Sequence, residues 1–237
     1  MILFKDIYNR AIRLFDDPKV LQKYEEDRAG FNKLMFEYLI VAKDKPTLPT
    51  AINDELCNYK EPEAVEESSK GDGSDTYALE SSIPNNGVGV DFVYKINGEE
   101  VEGEFIPSTG TQPASVVFSR EVGEDETWVV DWFFAGVFTS DFKNCFRSDF
   151  NINKITDQLI TILAYALLST WADEEVGRVL EVRNILTDSD FKMYSPANSA
   201  KAKIEWRDKM NENVDTLTST LNWMIFSTPK GGSRFGK

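Results

Sequence analysis

Carboxylates are the most abundant candidates for chemistry in this chain. Glu99, Glu100, Glu102 and Glu104 crowd into one short stretch, and in an extended strand Glu100, Glu102 and Glu104 share a face while Val101, Gly103 and Phe105 take the other. Two carboxylates flanking a glycosidic bond can act as acid and nucleophile, so these residues are the candidates for a hydrolase. A strand with one wet face has the same pattern, and solvent exposure is the reading we prefer. Asp72 and Asp75 in GDGSD raise a cation site, but their spacing fails the twelve-residue calcium loop and no closing Glu follows. Trp128, Trp132, Phe133 and Phe134 have the residue types of a platform for sugars or bases. Alternation puts Trp128, Val130 and Trp132 on one face, which equally describes the inner face of a sheet, and we predict that they are core.

Other chemistry finds less material. The chain has no histidine, which removes the commonest general base near neutral pH and the commonest metal ligand, so triad hydrolases and most zinc enzymes are excluded in their usual forms. Gly71, Gly73, Gly87, Gly89 and Gly110 match neither a phosphate-binding loop nor a dinucleotide fingerprint. Cys57 and Cys145 sit in no metal-like or redox spacing and are expected to be free, buried thiols in a reducing compartment. Net charge is −14, which argues against binding nucleic acid through a basic surface. No enzyme activity, cofactor or metal is therefore predicted. The N-terminal residues carry charges throughout and lack the pattern of a signal peptide, and no run of apolar residues is long enough to span a bilayer, so no membrane partner is expected.

The elements that must position these residues follow from periodicity. Leu3, Ile7, Ala11 and Leu14 mark a first helix, and a second is predicted from about Pro18 to Lys43 with Val20, Tyr24, Phe31, Met35, Tyr38 and Ala42 inward. Pro46 to Asp75 is poor in apolar residues and reads as a linker. From Thr76 the period becomes two, giving five strands in TYALESSI, VGVDFVYKI, VEGEFIP, ASVVFSR and TWVVDWFFAGVF, with Asn97-Gly98 as a type I′ hairpin turn. Residues 61–104 hold twelve acids against Lys70 and Lys95. Acidity is thus concentrated in the linker and the first strands.

Helical pattern returns near Asn151, apolar round most of its circumference from Ile155 to Trp171, as for a helix lying between other helices or in a subunit contact. A last helix is predicted from the cap at Ser195 and Pro196 to about Phe226. Its stripe of Met210, Val214, Leu217, Leu221 and Met224 is expected to pack on the Ile155–Trp171 helix of the same chain. Beyond it runs a basic tail whose Lys230, Arg234, Phe235 and Lys237 are the predicted partner-docking residues. The predicted class is α+β: a helical bundle built from both termini with an inserted antiparallel β-sandwich or barrel-like domain. Its segments are 1–50 and 141–227 for the helical part, 51–74 for the acidic linker, 75–140 for the β insert, and 228–237 for the extended tail.

The terminal regions resemble head-to-tail connector proteins of tailed bacteriophages, the adaptor rings beneath the portal. The resemblance rests on LFDDP at Leu14–Pro18 and FNKLMFEYLIVA at Phe31–Ala42. It continues in ITILAYALLSTWADEEV at Ile160–Val176 and DFKMYSPANSAKAKIEWRDKMNENVDTL at Asp190–Leu217. It implies a structural virion protein of the neck, assembled in the host cytoplasm into a ring, often of twelve copies in such proteins. Its partners would be other copies, the portal, a downstream tail or neck protein, and genomic DNA that passes the lumen without specific binding. Residues 75–140 lie outside the resemblance. The alternatives are another tail- or neck-completion protein, or a carbohydrate- or host-binding module using the β insert.

Overall fold

The computed structural model describes residues 1–15, 18–109, 111–140, 142, 145, 151–187 and 196–226. Helix accounts for 50% and strand for 24%, in antiparallel sheets of which none is closed, so the class is α+β. Elements run in the order β1 (Ile2–Leu3), α1 (Phe4–Ile12), α2 (Pro18–Glu26), α3 (Arg28–Ala42), α4 (Thr50–Leu56), β2 (Tyr59–Lys60), β3 (Glu63–Lys70) and β4 (Thr76–Ala78). Then follow β5 (Val90–Ile96), β6 (Glu99–Val101), β7 (Gly103–Ile106), β8 (Ser115–Phe118), β9 (Thr127–Phe134), β10 (Val137–Phe138), α5 (Ile152–Thr187) and α6 (Pro196–Phe226). Two compact units result. One comprises Met1–Pro18, Glu37–Tyr59 and Phe138–Lys237, the other Lys19–Phe36 and Lys60–Val137.

In the first unit α5 is the central element. Ile155, Leu159, Ile162, Leu163, Leu167 and Leu168 are buried along it. By length and composition Ile152–Arg178 could cross a membrane, but burial on several sides identifies what its apolar surface meets. Towards α1, Arg10 donates to the Asp157 carboxylate at 2.6 Å and the ring of Phe15 meets Trp171 edge-on. α6 runs antiparallel to α5, because contacts that climb α5 descend α6: Gln158 donates to the Leu217 carbonyl, Ser169 to Asn211, and Lys203 pairs with Glu175. The predicted intramolecular stripe is present, with Met210, Val214 and Leu221 buried.

The second unit contains two sheets, ordered β3-β9-β5-β6 and β4-β8-β7. Their inward residues meet in one apolar cluster of Tyr77, Leu79, Ile96, Val116, Phe118, Val122, Trp128 and Val130. Asn97 (φ 52°) and Gly98 (φ 84°) form the predicted turn, with Ile96 opposite Glu99. Glu102 separates β6 from β7, where the chain leaves one sheet for the other. At this crossing Gly103 lies under Tyr94, and a Cβ there would come within 2.7 Å of the ring.

Several expectations are corrected. The helix from Pro18 to Lys43 is interrupted at Asp27, whose side chain accepts the Gly30 N–H at 2.8 Å and caps α3. The segment expected as a linker contains α4 and an eight-residue strand, β3, paired along its whole length with β9. EAVEESSK hides its strand character because it is a sheet edge with charge on both faces, and its partner TWVVDWFF supplies the apolar side chains. Helix α1 ends at Ile12, so Leu14 leaves the expected face and is exposed, while Phe4 and Tyr8 join Ile7 and Ala11 inside. Cys57 is exposed, not buried: α4 turns Ile52 and Leu56 inward, and the next position faces water. Cys145 is half-buried, and neither cysteine is in a disulfide.

Candidate functional site

The end of α6 is the site built most distinctively. Its upstream turns are fixed to the first unit by a polar array in which each member has a role. Lys45 donates to the buried Ser169 hydroxyl at 2.8 Å and to the Asp173 carboxylate at 2.6 Å, and Ser169 in turn donates to Asn211 on α6. Nearby, Tyr38 donates to Glu174, which also pairs with Arg178. The Tyr38 bond and the Arg178 charge hold the Glu174 carboxyl below its ordinary value, while burial and that carboxylate push the Tyr38 phenol well up. At the last turn, Asn222 donates to the Thr47 carbonyl at 2.9 Å.

Past Leu221 the helix presents large apolar side chains to water. Trp223 is 70% exposed and Phe226 72%. They lie three residues apart and therefore on neighbouring parts of one surface. Relative to Leu221 they fall about 200° and 140° round the helix, away from the seam with α5. Lys230, Arg234, Phe235 and Lys237 follow in sequence and lie outside the described residues, as does the Ser195 cap. The aromatic pair was missed by reading the stripe alone, although its displacement from that stripe is visible in the sequence.

The remaining candidates resolve differently. Trp128 and Trp132 are 3% and 0% exposed, and Phe134 is buried beside them, so the platform reading loses its surface. The Trp132 indole N–H donates to the Ser81 hydroxyl at 3.2 Å. Ser81 donates onward to Glu67 at 2.6 Å, and Glu67 also accepts the backbone N–H groups of Glu80 and Ser81. Glu67 thus spans the gap between β3 and the chain leaving β4, where no strand ladder joins the two sheets. Glu100, Glu102 and Glu104 are all exposed, as preferred, with Glu100 opposite Lys95 and Glu104 opposite Val117.

Asp72 and Asp75 line an open cleft of about 390 Å³ with Gly73, Ser74 and Glu121. Asp72 accepts the Ser74 N–H and the Tyr77 hydroxyl, both at 3.0 Å, and so serves as a turn cap. Among the described residues no three acidic or cysteine side chains are placed to share a metal ion. Arg120, with help from the Gly123 N–H, pulls Glu126 down to about 2 in a surface clamp that closes the turn before β9. No family model, curated protein or solved structure matches this chain.

Proposed function

We propose that the protein is a structural virion component, a ring-forming adaptor of the phage neck that joins the portal to the tail around the DNA passage. One observation carries the proposal: the apolar stripe of α6 is used within the subunit, and the helix then ends in exposed Trp223 and Phe226 leading into a segment without acids. An exposed apolar end beside basic residues in an acidic chain is suited to docking on a neighbour. In this proposal the first unit is the helical bundle of the adaptor and the two sheets of the second are a sandwich inserted into it. The terminal motifs that resemble connector proteins support the same assignment.

The proposal is tested by expressing the chain with and without residues 228–237 and measuring its mass alone and mixed with the portal of the same phage. A complex that forms with the full chain and is lost on truncation is the expected result. Imaging of the virion that puts the protein away from the portal–tail axis would overturn it.

A further inference from the structure

The second unit has a surface whose chemistry complements the end of α6. Strand register places Thr76, Ala78, Glu104, Ile106, Ser115 and Val117 on the outer face of β4-β8-β7, opposite the buried Tyr77, Val116 and Phe118 and the partly buried Phe105. Ala78 and Ile106 are exposed and Val117 is half-exposed, so a short aliphatic strip lies open on this face. Carboxylates border it, since Glu80, Glu102 and Glu104 are all exposed. Among the described residues none of these three acids is in an ion pair, in contrast to the clamped Glu126 and Glu174.

The other half of the match is the chain from Thr216 to Lys237. It contains no Asp or Glu, three basic residues, and the aromatics Trp223, Phe226 and Phe235. Elsewhere acids outnumber bases, with net charge −14 for the whole. An aromatic and basic segment and an aliphatic and acidic face are complementary in both hydrophobic and electrostatic terms. The two surfaces are different, so a contact between them is heterologous and repeats from copy to copy, closing into a ring when the rotation allows.

We infer that the occupant of the β4-β8-β7 outer face is the C-terminal segment of a second copy of this chain, with Trp223 and Phe226 on the Ala78–Ile106–Val117 strip and Lys230 and Arg234 towards Glu80, Glu102 and Glu104. This rests on the ring reading of the preceding section and names the contact that would build the ring.

The test uses the full chain, mixing isotope-labelled and unlabelled protein at up to about 0.5 mM, the range in which weak interfaces are populated. A zero-length reagent coupling amines to carboxylates is expected to join Lys230 or Lys237 to Glu80, Glu102 or Glu104 in mixed-isotope pairs. In sedimentation the mass should rise with concentration and fall as salt is raised. Trp223→Ala with Phe226→Ala, and separately Glu102→Lys with Glu104→Lys, should each weaken association about tenfold or more. Mixed together, the two defective variants retain one intact pair of surfaces and should form dimers but no larger species. All four positions are exposed, so unchanged circular dichroism should accompany each variant.

The inference is overturned by cross-links confined to single chains, which would mean docking on the chain's own face, by a monomer without mixed pairs at the highest concentration, or by variants that associate like the parent. Portal binding measured on the same variants separates the two ideas. A chain that binds the portal without self-pairing keeps the adaptor reading and loses this contact, whereas self-pairing without portal binding does the reverse.

Discussion

Glu67 offers the sharpest test of how the second unit is held together. It points inward from an edge strand and accepts the Ser81 hydroxyl at 2.6 Å and the Glu80 and Ser81 backbone N–H groups, between two sheets that no strand ladder joins. A hydrogen bond to a charged acceptor contributes about 1.5–3 kcal/mol net. The Ser81 N–H contact, at 3.3 Å, adds little, and the half-buried position lets water recover part of the loss. Glu67→Ala should therefore destabilise the second unit by about 2–3 kcal/mol, and Glu67→Gln, which keeps one acceptor oxygen, by about 1–2 kcal/mol. For a chain of this size that is a fall in Tm of about 4–12 °C for the alanine variant.

The assay is urea unfolding followed by near-ultraviolet circular dichroism, paired with amide hydrogen exchange. Exchange at Glu80 and Ser81 should accelerate in Glu67→Ala while amides of α5 keep their protection, because those belong to the other unit. Ser81→Ala combined with Glu67→Ala should cost less than the sum of the two changes, since they share a bond. Unfolding within about 0.5 kcal/mol of the parent, together with unchanged exchange at Glu80 and Ser81, would refute the bridging role of Glu67.

Three further outcomes are expected. Trp132→Ala should cost about 3–5 kcal/mol in denaturant unfolding, while Trp223→Ala should stay within about 0.5 kcal/mol, since one indole is enclosed and the other is 70% exposed. Ser169→Ala leaves Asn211 without its donor and removes one of the acceptors of Lys45, so the urea midpoint should drop by an amount equivalent to about 1–2 kcal/mol. Burial raises the phenols of Tyr8 and Tyr38 and pushes Tyr94 up to about 12. A raised folded value gives stability that is complete below the ordinary tyrosine value and is lost as pH climbs, because the unfolded chain ionises first. Stability should decline from about pH 10 upwards, and Tyr38→Phe should flatten that decline if the phenol is responsible.

Much of this architecture was legible because it depends on neighbours in sequence. Asn97-Gly98 announces its turn through the positive φ that both residues accept, and the alternation of TWVVDWFF correctly turns Trp128 and Trp132 to the same side. The stripe from Met210 to Leu221 and the end of α6 at Phe226 were likewise readable from spacing. Part of the candidate site was too, since the run without acids after Asp215 is a property of composition.

What only the tertiary structure decided concerns partners and coverage. Nothing within EAVEESSK says strand: its conformation comes from pairing with a strand some sixty residues away, as in Val65 opposite Trp132. The break at Asp27 depends on a side-chain cap competing with an otherwise continuous helical pattern. Whether Trp223 is covered depends on where α5 lies against α6, and whether the Ala78–Ile106–Val117 strip is open depends on which side of its sheet holds the core. Periodicity tells which residues share a face, because backbone geometry fixes that locally. Which face is then covered, and by what, is set by contacts between segments distant in sequence, which no local spacing encodes.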